Sequence, residues 1–173
     1  SGGGIIIDGG GGDAGSGGGF YGDPKTCTQA AQAKTYIGCD FWPTVVANNV
    51  WSVFDYAVVV ANAGDAPADV TIERNGAPAG SGTIQPNSLQ KFYLPWVPEL
   101  KGPDGDACGS ATPLTASVRA PGGAYHLTSS VPVTVYQFNA LEYGAQGGPP
   151  GKDWSSCPSL QCGLEGYSYT NDA

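Results

Sequence analysis

The chain has no methionine, one histidine (His126), and charged side chains at only 13% of its 173 residues. Each shortage excludes something. A serine or cysteine nucleophile needs a base that is itself oriented. With one histidine and no G-x-S-x-G elbow, that chemistry is not expected. As a lone strand histidine, His126 reads as a satisfied or surface residue. There is no C-x-x-C pair, and His126 has no cysteine or histidine at ligand spacing, so a cysteine-based metal site is not expected either. The seven Lys and Arg are scattered singly against fifteen Asp and Glu, a net charge of −8. That balance argues against nucleic acid and anionic membranes as partners. The longest apolar run, Tyr56 to Ala61, is far too short to span a bilayer. Methionine is missing from position 1 as well, as expected of a processed or excised piece of a longer chain.

Glycine is plentiful, at 28 residues, and concentrated near the start. Residues 1–25 read as a flexible Gly-rich linker, because so few side chains cannot offset the entropy of ordering the backbone. Asp8 and Asp13 sit in one imperfect copy of a Gly/Asp repeat. Calcium-binding repeats of that kind need several tandem copies, so the tether reading stands.

From Thr26 onward the composition changes. Cys27 to Lys34 predicts a helix of one or two turns, with Thr26 or Thr28 as its N-cap. The rest consists of β-branched and aromatic runs between Gly, Pro, Asn and Asp clusters, the pattern of an antiparallel β-sandwich with long loops. Strands are expected over Thr35–Asp40, Val50–Asn62, Ala68–Arg74, Leu89–Leu94 and Leu114–Arg119. Ala124–Tyr143 is expected to form two more, broken near Ser129-Ser130. Both faces of the 50–62 run are apolar, which places it at the centre of a sheet covered on both sides. Asn75-Gly76 is the strongest hairpin signal. A glycine-rich return follows it, and Pro95–Pro113 reads as a long surface loop.

Five cysteines in a chain poor in charge point to an oxidising compartment. Cys157 and Cys162 bracket a short loop and form one candidate pair. Cys27 and Cys39 form another, which leaves Cys108 over. Asp55 interrupts an apolar strand and reads as a carboxylate held by backbone N–H groups or by a residue such as Arg119. Asp104 and Asp106 are too few for a calcium site by themselves and read as a turn. Trp51 is expected in the core. Trp42, Trp96 and Trp154 each lie beside turn residues and are candidate partner contacts.

Four segments carry a resemblance: GCDFWPT (Gly38–Thr44), FDYAVVVANAGDAPADVTIERNG (Phe54–Gly76), LQKFYLPW (Leu89–Trp96) and AYHLTSSVPVTVYQFNALEYG (Ala124–Gly144). Together they resemble the IgGFc-binding protein N-terminal domain family, most specifically in the stretch from Ser129 through Asn139. The resemblance runs from about Cys27 to the C-terminus and is strongest toward bacterial, myxobacteria-like members. It implies an extracellular β-rich domain over residues 26–173 that continues past Ala173. It also implies a non-catalytic surface role, with no catalytic residues and no cofactor to carry over. The leader fits the tether of a secreted or lipid-anchored protein, with any lipid anchor lying upstream.

The expectation is therefore an extracellular or cell-surface adhesion module, partnered by a protein or glycoprotein. The alternative is a carbohydrate-binding module, which calls for a coplanar exposed pair among Trp42, Trp96 and Trp154. A carboxylate-based enzyme would instead require two acidic residues in contact within a cleft.

Overall fold

The computed structural model describes residues 22–33, 35–48, 52, 54–104, 112 and 114–139. The expectations placed on residues 1–21, Trp51, Asp106, Cys108, Trp154, Cys157 and Cys162 lie outside these. Of the linker, Gly22–Lys25 is described as irregular chain, with Pro24 already buried.

Helix α1 spans Cys27–Ala33. Its start is a capping box, in which the Thr26 hydroxyl accepts from the Gln29 amide at 3.2 Å. In return, Gln29 Oε1 accepts from the backbone of Lys25 and Thr26. Two of the amides at the helix start are thereby satisfied. A disulfide from Cys27 to Cys39 fastens α1 to the first strand.

The expected all-β antiparallel architecture is present. Six strands make one nearly closed sheet: β1 Ile37–Phe41, β2 Tyr56–Asn62, β3 Ala68–Arg74, β4 Ala77–Ile84, β5 Ser88–Leu94 and β6 Tyr125–Phe138. The pairing organises around β6. Thr128 pairs with both Asp40 and Thr71, and Thr134 with both Ile37 and Ala61. So β1 occupies one edge of β6, while the other edge is shared, by β3 along its first half and β2 along its second. β4 and β5 pair outward onto β3 and β2 respectively. In effect β2–β3 and β4–β5 form one long hairpin with its tip at Asn75-Gly76. Both tip residues adopt positive φ, 51° and 76°, as a tight hairpin turn requires.

The two halves of the bent sheet share a single core. Tyr56, Val58, Val60, Phe92 and Leu94 come from one half, and Val70, Ile72, Ile84, Tyr125 and Leu127 from the other. Alternation is clean in β3, where Val70 and Ile72 are buried while Asp69, Thr71 and Glu73 face out. The fold line is held by Asn62. Its Nδ2 donates to the carbonyls of Ala66 and Ile84, and its Oδ1 accepts from the Gly64 amide. Residues 43–48 close one end of the core. Pro43 accepts from the Tyr125 amide, while the Thr44 and Val46 amides donate to the side chains of Gln137 and Asn139.

Several boundaries differ from expectation. β6 is one strand, unbroken at Ser129-Ser130. Residues 130–132 fall in the gap where its partner changes from β3 to β2, so the N–H that Pro132 lacks costs no ladder bond. The glycine-rich return is a full strand, β4. Leu114–Arg119 is irregular, with Leu114 and Val118 exposed, so no buried face rewards pairing there. The regular part of the 50–62 run begins at Tyr56, which puts Asp55 ahead of the strand rather than inside it. A four-residue helix, α2 (Pro98–Lys101), sits within the expected long loop.

Candidate functional site

Strand alternation determines what reaches the outer surface where β1 meets β6. Tyr125 and Leu127 are buried, so His126 between them points outward. Across the ladder, Asp40 pairs with Thr128 and Phe41 with Leu127. Phe41 packs against the core, and its neighbours Asp40 and Trp42 turn to solvent. Trp42 follows directly on β1, and the backbone of the next residue, Pro43, is bonded to Tyr125. The indole is thus delivered onto His126.

The two rings stack with centroids 4.2 Å apart and planes within 8°. Trp42 remains 62% exposed, so with one face on the imidazole its other face is open to solvent. Nε2 of His126 lies 3.3 Å from Asp40 Oδ1. That separation is close enough for an ion pair, but off the line of a hydrogen bond. Glu73 is the register partner of His126 on β3. A groove of about 530 Å³ opens beside this cluster, lined by Trp42, His126, Glu73, Asn75, Arg119 and the turn 120–124. At its end Gly122 has φ +68°, and a Cβ there would meet the Asn75 side chain at 3.1 Å. Glycine allows both the turn and the close approach.

Trp96 lies elsewhere. It is partly buried against the core, its Nε1 donates to the Phe54 carbonyl at 2.7 Å, and its ring is tilted on Tyr56. Lys101, only 2% exposed, places its ammonium 5.5 Å from the Trp96 ring and 2.6 Å from Asp104 Oδ1. Asp104 also accepts from the backbone and hydroxyl of Ser52. Burial works to raise the Asp104 pKa, but the hydrogen bonds from Lys101 and Ser52 outweigh it, and the net direction is down. This cluster ties loops together. Asp104, read from sequence as a turn residue, is committed to Lys101 and Ser52.

In the core, Tyr56 and Tyr125 stack at 5.9 Å, and Tyr56 donates toward Gln137. Burial raises the pKa of both phenols, that of Tyr56 strongly. They stay protonated at ordinary pH.

Of the candidate contacts, Trp42 is on the surface and Trp96 is turned inward, so these two do not form a coplanar pair. The pairing of Cys27 with Cys39 is present. Sequence reading passed over Glu73 and gave no site role to Asp40, Arg119 or His126, the last of which it placed as a satisfied or surface residue. The one available signal was the alternation of His126 with Tyr125 and Leu127; cross-strand neighbours leave no trace in a single sequence. Among the described residues no three His, Cys, Asp or Glu side chains converge as metal ligands, and no helix is long and apolar enough to cross a membrane. No family model matches the chain, and neither curated proteins nor solved structures gave a match.

Proposed function

We propose that the chain is a non-catalytic binding module of the extracellular or cell-surface adhesion type. Its contact face is centred on Trp42, and its partner is a protein or glycoprotein. The observation that carries this is a large aromatic ring left open on one face while its other face is braced by His126. Aromatic residues held in place in this way are the usual anchors of binding surfaces, because little side-chain entropy remains to be lost. The Cys27–Cys39 bridge supports an oxidising, extracellular setting. The resemblance to the IgGFc-binding protein N-terminal domain family supports a surface role.

The test compares adhesion of beads carrying the wild-type chain or Trp42→Ala to a glycoprotein-coated surface, with urea unfolding run on both. A loss of at least about tenfold with an intact fold is expected, since one central aromatic anchor contributes on the order of 2 kcal/mol. Equal adhesion by the two would refute the assigned face.

Carbohydrate binding is the second reading. The groove beside Trp42 favours it, in a form that needs one aromatic platform rather than two.

A further inference from the structure

We propose that the groove beside Trp42 binds one neutral pyranose ring of a glycoprotein glycan. The proposal rests on the Trp42 face being the contact surface and names the ligand chemistry of that face.

A pyranose has an apolar C–H face and a rim of hydroxyls. The site offers a surface for each. The free face of Trp42 is flat and exposed, and stacking on His126 fixes its plane before any ligand arrives. Binding therefore spends little entropy on ordering the platform. Around the groove, the Glu73 carboxylate can accept from hydroxyls, while Arg119 and the Asn75 amide can donate to them. Apart from Trp42 the lining is polar or small, with glycine, alanine and proline through residues 120–124. No large aliphatic side chain lines it that would suit an apolar peptide anchor. The volume, about 530 Å³, lies in the range of about 300–1,000 Å³ typical of small-ligand clefts.

Charge selects among sugars. Asp40 and Glu73 flank the platform, Arg119 is the one cation among the lining residues, and the whole chain carries −8. A sialic or uronic acid would bring its carboxylate to Glu73 in the groove and into the field of Asp40 just outside it, whereas a neutral hexose or N-acetylhexosamine meets no such repulsion.

The experiment screens the chain on an array of neutral and acidic glycans, then titrates the best neutral oligosaccharide by tryptophan fluorescence and calorimetry. Wild type is expected to bind in the range of about 0.1–10 mM per site, as suits a single ring in an open groove. Trp42→Ala should weaken binding at least about tenfold and Glu73→Gln several-fold. Trp42→Tyr should retain part of the affinity. Tyr136→Ala, exposed on β6 and outside the groove, should leave binding unchanged. Absence of neutral-glycan binding, preference for acidic glycans, or binding that survives Trp42→Ala each overturns the proposal. Repeating the bead assay on an enzymatically deglycosylated surface separates the two claims. Adhesion that persists and still depends on Trp42 sinks the sugar and leaves the contact face standing. Adhesion indifferent to Trp42 on either surface sinks both.

Discussion

Asn62 on β2 donates its side-chain amide to the carbonyl of Ile84 at the end of β4, 2.9 Å away and wholly out of solvent. A second donation to Ala66 and an acceptance from Gly64 complete its hydrogen bonding at the line where the long hairpin folds over. Asn62→Ala removes three partners at once and leaves the buried Ile84 carbonyl and the part-buried Ala66 carbonyl without this donor. A loss of about 2–4 kcal/mol in urea unfolding is expected. A loss below about 0.5 kcal/mol would show that water replaces the amide.

Lys101 and Asp104 set an acid limit. The Asp104 carboxyl has a lowered folded-state pKa, so its contribution is present above the ordinary carboxylate range and disappears as pH falls through the lowered value. Stability measured against pH should therefore drop below about pH 4. Asp104→Asn should flatten that limb and cost roughly 1–2 kcal/mol at pH 7. Asp104 is 42% exposed, which holds the cost below that of a fully buried pair. An unchanged acid limb in the variant would assign it to other carboxylates.

The Cys27–Cys39 bridge closes a short loop that contains α1. Replacing both cysteines by serine should destabilise the chain by about 2–3 kcal/mol, mainly through the freer unfolded state. The unfolding midpoint of this double variant, compared with wild type without reductant, checks it.

Two tryptophans should separate in the same assay. Trp42→Ala loses one stacked pair and little burial, for a cost of about 1 kcal/mol or less. Trp96→Ala loses packing against the core, the bond to the Phe54 carbonyl and the ring facing Lys101. That change should cost roughly 2–4 kcal/mol. A reversed order would mean that their roles have been exchanged.

Period-2 alternation made β3 legible in the sequence, because its buried and wet faces alternate directly in the residue types, while β2 showed as a run apolar on both faces. β4 was not legible. Its glycines lower strand propensity, and only at Gly82 does a neighbour crowd the site: a Cβ there would meet the end of the Gln90 side chain at 2.7 Å, whereas one on Gly80 would make ordinary contact with the Phe92 ring at 3.5 Å. The continuity of β6 was hidden for a related reason. Pro132 reads as a break unless one knows that the strand changes partners there. At the candidate site, Trp42 stood out as an aromatic beside turn residues. Its companions Asp40, His126 and Glu73 come from three strands brought together by register, which no local pattern encodes.

The disulfide also determines how tension would travel. A pull arriving along the leader reaches Cys27, crosses the sulfur bridge to Cys39, and bypasses the whole of α1 together with Ile37 and Gly38. Those residues pair with Thr134 and Val133 at the edge of the sheet, where strands are the first to peel. Under load from that end, the bridge would shield those two pairings and pass the force to the Asp40–Phe41 end of β1, beside Trp42.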